Sequence, residues 1–406
     1  MAVVLVGTLD TKGEEFAFAR DVIEAQGVDV HVVDVGVLGA PEFEPDTTAA
    51  EAAAAAGTTL DALREGGDRG EAMTAMGEGA AAVVTDLYES GALSGVLGLG
   101  GSGNTSIATT AMRALPVGVP KVMVSTMASG DTEPYVGSTD IAMLYSVADI
   151  EGLNQLSRRV ISNAALATVG MVSNEADVTV EDRPTVAVTM FGVTTPCVQA
   201  AREYLEDAGY ETIVFHATGT GGRAMEGLIR QGVVDGVLDV TTTEWADELV
   251  GGVLAAGPER LDAAGETGVP QVVSTGALDM VNFGPRESVP EEFEGRRFHV
   301  HNPQVTLMRT TPAECAELGE IVATKLNAAT GPTALVLPLG GVSMLDVEGE
   351  DFYDPEADAA LFDALREHLD PSVELIEVDT DINDEAFART AAEQLDEYMR
   401  AAGVGP

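Results

Sequence analysis

Glycines and hydroxyl residues are concentrated in one stretch of the chain, Val96-Leu-Gly-Leu-Gly-Gly-Ser-Gly-Asn-Thr105. The stretch begins with an apolar run, and a helix-like segment from Ile107 follows its polar end. This order of residue types indicates a strand, a glycine loop and the N-terminus of a helix. Free backbone N–H groups and the positive end of a helix dipole suit a phosphate group. The stretch is therefore a candidate phosphate site.

The glycine spacing fits two phosphate-binding patterns, each incompletely. Gly98 and Gly103 are spaced as in a P-loop, but Asn104 stands where that motif has lysine. Gly98, Gly100 and Gly103 fit the dinucleotide pattern G-x-G-x-x-G, but the next predicted strand ends in Ser125 rather than in an acid. A tight turn that only lets a helix pack closely on a strand is the remaining alternative.

Lys12 lies in a second polar loop, Gly7-Thr-Leu-Asp-Thr-Lys-Gly13, which follows the apolar run at the start of the chain. The chain has only three lysines, and the first turn of a helix disfavours a cation, so a functional role outweighs an ordinary helical one. Lys12 would supply the charge that Asn104 lacks, which makes the two loops halves of a split phosphate site. Asp10 is a candidate ligand for Mg²⁺ or a helix cap.

More polar residues follow the predicted strand that ends at Ser125. Loops at the carboxyl ends of parallel strands share one edge of a sheet, so these residues are expected in the same crevice, with a solvated loop or a helix cap at Asp140 as the alternatives. The predicted cofactor-binding residues are Gly7, Thr8, Asp10, Thr11, Lys12, Gly100, Gly101, Ser102, Gly103, Asn104, Thr105, Ser125, Thr126, Ser129, Gly130 and Asp140.

Strands alternate with helices along the whole chain, which predicts an α/β fold with doubly wound parallel sheets. With 406 residues the chain is long enough for two domains. The acidic stretch 175–184 ends in Arg183-Pro184 and is a candidate linker. The predicted domains are 1–180, which binds the nucleotide, and 185–406, a candidate substrate domain.

The second half repeats short segments of the first. Leu93-Ser-Gly-Val-Leu97 matches Val234-Asp-Gly-Val-Leu238, and Gly118-Val-Pro-Lys-Val122 matches Gly268-Val-Pro-Gln-Val272. Each pair covers the start of a predicted strand. We infer a diverged internal duplication of one α/β unit.

The second half has its own candidate residues. Cys197 opens a predicted helix, where a thiolate is favoured and could act as a nucleophile, although free cysteines are more often buried apolar residues. His299 and His301 alternate on a strand-like run and so face one side, and His301 lies at a loop edge that suits an acid/base role. Candidate catalytic residues are thus Cys197 and His301. Candidate substrate-binding residues are Thr194, Thr195, Thr242 and Asn302.

The composition is strongly acidic, with 67 Asp and Glu against 21 Lys and Arg and a formal charge of −46. This pattern is typical of proteins adapted to high internal salt, and it argues against nucleic acid and anionic membranes as partners. The two cysteines have no disulfide or metal-ligand spacing, so no metal site is expected from them. No basic leader and no long apolar run is evident, and the expected location is the cytoplasm.

Several linked motifs together resemble the family of the tomato mosaic virus resistance protein's ATP-binding domain. They are Gly7-Thr-Leu-Asp-Thr-Lys12, Gly98-Leu-Gly-Gly-Ser-Gly103, Ser125-Thr-Met-Ala-Ser-Gly130, Met190-Phe-Gly-Val-Thr-Thr-Pro-Cys197, His301-Asn-Pro-Gln-Val-Thr306 and Leu339-Gly-Gly-Val-Ser343. The resemblance runs nearly end to end. It implies two Rossmann-like domains, ATP bound by the N-terminal one, and a homo-oligomer, a dimer or higher.

The expected function is that of an ATP-binding protein. The first hypothesis is an ATP-dependent enzyme that acts on an unidentified small molecule at the interdomain or C-terminal crevice, with ATP and Mg²⁺ as cofactors. The alternative is a non-catalytic nucleotide sensor or interaction module, in which ATP shifts a domain arrangement. A third class, an NAD-linked oxidoreductase, rests only on the G-x-G-x-x-G match.

Overall fold

The computed structural model describes residues 1–174 and 183–406. The chain divides into two compact α/β units, Met1–Thr179 and Val180–Pro406. The predicted linker lies outside the described residues, except for its last two, Arg183 and Pro184. Among the helices that the structure describes, none combines the length and the apolar character needed to span a membrane.

The first unit contains a five-stranded parallel sheet with the order β2-β1-β3-β4-β5. Its strands are β1 (Ala2–Gly7), β2 (Asp29–Asp34), β3 (Leu93–Gly100), β4 (Lys121–Ser125) and β5 (Ala142–Tyr145). Its helices are α1 (Leu9–Glu24), α2 (Ala49–Ala55), α3 (Leu60–Gly66), α4 (Arg69–Glu89), α5 (Ser102–Arg113), α6 (Glu133–Val136) and α7 (Gln155–Ser173). The order reverses between β1 and β3, and open α/β sheets bind ligands at such a point.

Helices cover both faces of this sheet. Val4 and Val96 pack towards α4 and α5, whereas Leu5 and Leu97 pack with Phe16 of α1 and residues of α7. Strands that are buried on both faces have nearly continuous apolar sequences, as β1 and β3 do. These two strands are therefore packed against helices on both faces.

The second unit contains a six-stranded parallel sheet with the order β14-β13-β9-β8-β6-β7 and a three-stranded antiparallel sheet with the order β10-β12-β11. Its strands are β6 (Thr185–Met190), β7 (Glu211–His216), β8 (Gly236–Thr241), β9 (Gln271–Gly276), β10 (Met280–Phe283), β11 (Phe298–Asn302), β12 (Val305–Arg309), β13 (Thr333–Pro338) and β14 (Glu374–Val378). Its α-helices are α8 (Thr195–Ala208), α9 (Thr220–Arg230), α10 (Glu244–Val250), α11 (Ala263–Thr267), α12 (Pro312–Asn327), α13 (Pro355–His368) and α14 (Glu385–Ala401).

The two parallel sheets share one topology over their first five strands, and the second sheet adds a sixth strand, β14. In each, the first strand lies between the second and the third, and the fourth and fifth follow in order. The repeated segments fall on equivalent strands, because the first pair belongs to β3 and β8 and the second pair leads into β4 and β9. The prediction of two Rossmann-like parallel-sheet units is confirmed, and the shared strand order is what a duplication produces.

Two local predictions need correction. Asp140 was expected at the start of a helix, but the short strand β5 follows it. Of the antiparallel sheet, only the run at Phe298–Val300 was expected to be a strand. Both elements are short, with four or five residues in each strand, so their hydrophobic periodicity is too brief to be distinguished from a loop or helix.

Candidate functional site

A cavity of about 620 Å³ opens at the carboxyl ends of β1 and β3. Its walls come from the β1–α1 loop, the loop after β2, the α3–α4 junction and the glycine loop before α5. The structure thus brings together the two loops that the sequence suggested as halves of one site. The predicted residues that line the cavity are Thr8, Asp10, Thr11, Lys12, Gly100, Gly101, Ser102, Gly103 and Asn104.

Two helices begin at this cavity. Thr8 precedes α1 and its side chain caps no N–H group of the helix, but the first N–H, that of Leu9, donates to Asp34 Oδ1 at 3.0 Å. Gly101 precedes α5 and has no side chain that could cap it. The first N–H groups of a helix have no intrahelical partner. The N-terminus of α5 therefore presents N–H groups and positive partial charge to the cavity, beside the start of α1.

Two cationic side chains at the cavity have no ion-pair partner among residues 1–174 and 183–406. Lys12 departs from helical geometry within α1, with φ −134° and ψ 20°. Arg69 brings its Nη2 atom to 3.5 Å from the point that a Cβ on Gly103 would occupy, so its guanidinium lies beside the start of α5. In contrast, Lys121 and Lys325 are each paired with an aspartate at 2.7 Å.

The loop after β2 is held against the cavity by two charged residues. Asp10 Oδ2 accepts hydrogen bonds from the N–H groups of Leu38 at 2.7 Å and Gly39 at 2.9 Å. From the other side, Arg64 Nε donates to the carbonyl of Val37 at 2.6 Å. Asp10 thus fixes a neighbouring loop instead of capping α1, which is the first correction at this site.

Asn104 links the two strands that flank the cavity. Its Nδ2 donates to the carbonyl of Leu99 at 2.7 Å and to that of Val6 at 3.3 Å. The side-chain oxygen is buried and has no hydrogen-bond partner within the described residues. The residue that replaces the lysine of a P-loop therefore joins the ends of β1 and β3.

Three of the predicted residues, Gly7, Thr105 and Ser125, contribute to packing next to the loops and do not line the cavity. A Cβ at Gly7 would overlap the ring of Phe16, so this glycine allows α1 to pack closely. The hydroxyl groups of Thr105 and Ser125 lie 2.6 Å apart, and both residues are completely buried. Thr126, Ser129 and Gly130, at the end of β4, do not line the cavity.

Asp140 lies at the other end of β4. Its carboxylate accepts hydrogen bonds from Lys121 Nζ at 2.7 Å and from the N–H of Gly118 at 2.8 Å. Both partners belong to the amino end of the strand, whereas the cavity is at the carboxyl end. Asp140 is therefore an ion-pair partner of a buried lysine and not a residue of the cavity.

Sequence reasoning missed Arg64, Arg69 and Asp34. The two arginines flank the segment Glu-Gly-Gly-Asp, and their presence in a chain so poor in cations is the signal that could have drawn attention to them. Asp34 ends β2, where dinucleotide-binding folds often have a ribose-binding acid. Its Oδ1 instead accepts from the N–H groups of Leu9 at 3.0 Å and Gly36 at 2.9 Å, and burial raises its pKa.

In the second unit, the predicted threonines bond internally. The hydroxyl groups of Thr194 and Thr241 lie 2.8 Å apart, and the Thr242 hydroxyl donates to the carbonyl of Ser274 at 3.0 Å. Thr195 donates to the carbonyl of Phe191 at 3.0 Å. Thr194 and Thr242 are fully buried, so neither is available to a substrate in this arrangement.

A buried ion cluster occupies the ends of β8 and the adjoining helices. Arg260 bonds Asp239, which lies on β8, and its Nε donates to Glu244 at 2.7 Å. Glu244 Oε1 also accepts from the N–H groups of Gly219 at 2.7 Å and Gly222 at 3.0 Å, at the start of α9. The helix terminus that would suit an external anion therefore holds a carboxylate of the chain itself.

The predicted catalytic residues lie in contrasting environments. Cys197 is fully buried in a core that includes residues of α14, and burial raises the pKa of its thiol to about 12. The expected thiolate is therefore not favoured. His301 and Asn302 are exposed on β11, and Asn302 Oδ1 accepts from the N–H of Gln304 at 2.8 Å. Histidine and asparagine alone do not form a catalytic constellation.

Comparison with known proteins covers almost the whole chain. Family models described as the N-terminal and C-terminal domains of the uncharacterised protein family UPF0261 match residues 1–177 and 183–399. A UPF0261 protein of Clostridium tetani is 55% identical over 398 residues, which are 98% of each chain. One of Rhizobium meliloti is 49% identical over 96% of this chain and 97% of its own.

The comparison also finds a plant protein. The ToMV resistance protein Tm-1 of Solanum lycopersicum is 45% identical over 382 residues, which are 88% of this chain but 50% of the plant protein. The chain thus corresponds to half of that relative. The resemblance inferred from the linked motifs is confirmed.

Proposed function

The chain belongs to the uncharacterised protein family UPF0261, and from this premise we propose that it is an ATP-binding protein whose nucleotide site is the cavity at the ends of β1 and β3. The observation that carries the proposal is the meeting of the uncapped N-terminus of α5 with Lys12 and Arg69 in that cavity. Helix N-termini and cationic side chains stabilise phosphate groups together.

The overall charge of the chain strengthens this argument. In a chain with 21 basic and 67 acidic residues, most cations are expected to pair with an acid, but Lys12 and Arg69 line one cavity with no ion-pair partner among the described residues. A polyphosphate would neutralise Lys12 and Arg69 and would accept hydrogen bonds from the glycine loop Gly100–Gly103. Long-range repulsion of an anion by the acidic surface is screened at high salt, whereas contacts inside the cavity persist.

The rest of the cavity suits the base and sugar of a nucleotide. Val37, Leu63, Met73 and Ile107 form an apolar wall of the cavity. The cavity volume of about 620 Å³ lies in the range of small-molecule and cofactor sites, roughly 300–1,000 Å³. Asp10, Asp68 and Asp149 also line it and are carboxylates from which a Mg²⁺ bound to the phosphates could take a ligand.

We propose, as the first hypothesis for its activity, an ATP-dependent enzyme that acts on a small molecule bound by the second unit. His301 and Asn302, which are exposed on β11, are the residues of that unit that could contact such a molecule. A non-catalytic nucleotide sensor is the second candidate, and the internal hydrogen bonds of Thr194 and Thr242 favour it. An NAD-linked oxidoreductase has less support, because the acid that ends β2 bonds backbone N–H groups instead of facing the cavity.

Thermal unfolding in high salt tests the nucleotide. ATP, ADP, AMP and NAD are compared with and without Mg²⁺, since a ligand that binds only the folded state raises the melting temperature. We expect the shift to decrease from ATP to AMP as phosphates are removed. A shift with NAD and none with ATP would overturn the proposal.

Incubation with labelled ATP and a panel of small acids separates the enzyme from the sensor. Turnover that depends on one of the acids supports the enzyme. Nucleotide that binds in the thermal assay but stays intact with every acid supports the sensor.

A homo-oligomer and a cytoplasmic location complete the proposal. The edge strand β5 supports self-association, because Leu144 and Tyr145 are 37% and 42% exposed on it. An exposed apolar edge strand is a template for pairing with another chain. Light scattering after size exclusion measures the mass directly, and a monomer at every concentration would contradict the oligomer.

A further inference from the structure

Two of the five histidines of the chain, His299 and His301, lie on β11 and are separated by one residue. The ring centroids of His299 and His301 are 6.5 Å apart. This distance brings the two imidazoles together on one surface of the strand. None of the contacts that define the proposed nucleotide site involves them.

Asp351 orients the first of these imidazoles. Its Oδ2 lies 2.7 Å from His299 Nδ1, and the ring of Phe352 packs edge-on against the same histidine at 6.3 Å between centroids. A carboxylate on Nδ1 fixes the tautomer in which Nε2 carries the free lone pair. Within the residues that the structure describes, His299 Nε2 and both nitrogens of His301 have no hydrogen-bond partner.

The position of the second imidazole, that of His301, depends on an irregularity in β11. Val300 pairs with Thr306 and Asn302 with Val305, so the register shifts between them and His301 has no partner on β12. Bulges of this kind redirect a side chain and are frequent at sheet edges near functional sites. Because β11 is the edge strand of the three-stranded sheet and His301 is exposed, its ring has room to turn towards His299.

We propose that His299 and His301 bind a divalent transition-metal ion, with Asp351 as the positioning residue that hydrogen-bonds the ligand His299. A histidine ligand whose second nitrogen bonds a carboxylate is the usual arrangement in metal sites, and it raises the basicity of the ligating nitrogen. The chain supplies two ligands, so water or a donor atom of a small molecule completes the coordination. The ion is therefore accessible rather than enclosed.

The donor set selects the class of metal. Two imidazoles suit Cu²⁺, Ni²⁺ or Zn²⁺, whereas Mg²⁺ and Ca²⁺ prefer oxygen ligands. Cu²⁺ heads the order of affinity for such nitrogen sites and accepts a square-planar arrangement with open positions. It is therefore the most sensitive probe. No group of three or more potential metal ligands, such as zinc sites use, occurs among the described residues.

Copper titration of the full chain tests the site. Binding of Cu²⁺ is measured by calorimetry in high salt, and electron paramagnetic resonance reports the number of bound imidazole nitrogens. We expect one site per chain with two nitrogens. His299→Ala and His301→Ala should each leave at most one, and Asp351→Asn should keep both nitrogens but weaken binding by roughly 10–100-fold.

His368→Ala is the matched control, because His368 is also exposed and lies 3.6 Å from a single carboxylate, that of Glu320. This variant should bind Cu²⁺ as the unaltered chain does. Circular dichroism and metal-free melting temperatures check that every variant is folded. A His299→Ala/His301→Ala chain that binds Cu²⁺ with unaltered affinity, or a spectrum with oxygen ligands alone, overturns the proposal.

Discussion

The side-chain nitrogen of Asn104 lies 2.7 Å from the carbonyl oxygen of Leu99, the residue before the glycines of its own loop. The same nitrogen reaches the carbonyl of Val6 on β1 at 3.3 Å. The carboxamide of Asn104 thus hydrogen-bonds to both strands at the point where the order of the sheet reverses. A lysine at this position could not make both contacts and also extend into the cavity. The positive charge at the cavity therefore comes from other residues, Lys12 and Arg69.

Replacing Asn104 with alanine should lower both stability and nucleotide affinity. The carbonyl groups of Leu99 and Val6 would lose their donor, and leaving a buried polar group unsatisfied costs about 1–3 kcal/mol. Denaturant unfolding in high salt measures the loss, and the thermal-shift assay measures the affinity. Ser106→Ala, in the first turns of the same helix, is the control, since the Ser106 hydroxyl has no hydrogen-bond partner among the residues that the structure describes. Equal stability of both variants would contradict the bridging role.

Replacing Lys12 with alanine should weaken ATP binding without unfolding the protein. A hydrogen bond to a charged group contributes about 1.5–3 kcal/mol, so the affinity should fall by roughly 10–100-fold. Lys325→Ala is the control, because it also removes a lysine. Lys325 lies in the second unit and is paired with Asp262, so this variant should bind ATP as the unaltered chain does. Unaltered affinity in the Lys12 variant would remove this lysine from the site.

Replacing Gly36 with alanine should weaken ATP binding from outside the cavity. A Cβ at this position would lie 2.5 Å from Asp10 Oδ1, so Asp10 must move away from the N–H groups of Leu38 and Gly39. The loop after β2 would then lose its anchor, and the apolar wall of the cavity would shift. Gly66→Ala is the control, because no atom lies within 4 Å of its added Cβ. If calorimetry gave the Gly36→Ala and Gly66→Ala variants equal affinities for ATP, Asp10 would not be the anchor of this loop.

Local sequence patterns located the two loops of the cavity correctly. Alternating strands and helices with glycine punctuation define where each strand ends, and parallel strands bring those ends together. Lys12 and Asn104 can therefore be assigned to one crevice from the sequence alone. The shared topology of the two units followed from the repeated segments in the same way.

Residues whose surroundings depend on distant chain segments were not predictable. Arg69 reaches Gly103 only because α4 packs against α5. Asp140 follows residues typical of a helix start, but its partner Lys121 is brought to it by strand pairing. Cys197 begins a helix, which locally favours a thiolate, yet α14 covers it from nearly two hundred residues away, and Asn383 accepts the hydrogen bond of its backbone N–H.

Neither cysteine should react with a thiol reagent in the folded protein. Burial raises the pKa of Cys197 to about 12 and that of Cys315 to about 11, and both side chains are inaccessible. Since the thiolate is the reactive form, labelling should be slow at pH 8 in the native state and complete after unfolding. A native protein that loses one thiol rapidly, with loss abolished by Cys197→Ser, would restore the nucleophile hypothesis.

The stability of the second unit should fall as the pH rises from about 4 to about 7, in part through Asp247. Burial raises the pKa of this carboxyl to about 7 from the ordinary value of 3.8, although it accepts hydrogen bonds from Asn282 Nδ2 at 2.6 Å and from the N–H of Leu254 at 3.1 Å. The folded state therefore holds a proton that the unfolded chain has already released. The stabilisation is complete below pH 3.8 and is lost as the pH rises through 7.

Asp247→Asn isolates this proton from the other buried acids, because it removes the titration and keeps the shape of the side chain. One proton corresponds to a slope of about 1.4 kcal/mol per pH unit, so the free energy of unfolding of the variant should fall less steeply by up to that amount between pH 4 and pH 7. Denaturant unfolding at half-unit intervals in high salt measures both slopes. Asp86→Asn, an exposed aspartate of α4, should keep the slope of the unaltered chain. Parallel curves for Asp247→Asn and the unaltered chain would mean that this carboxyl is already ionised in the folded state at acidic pH.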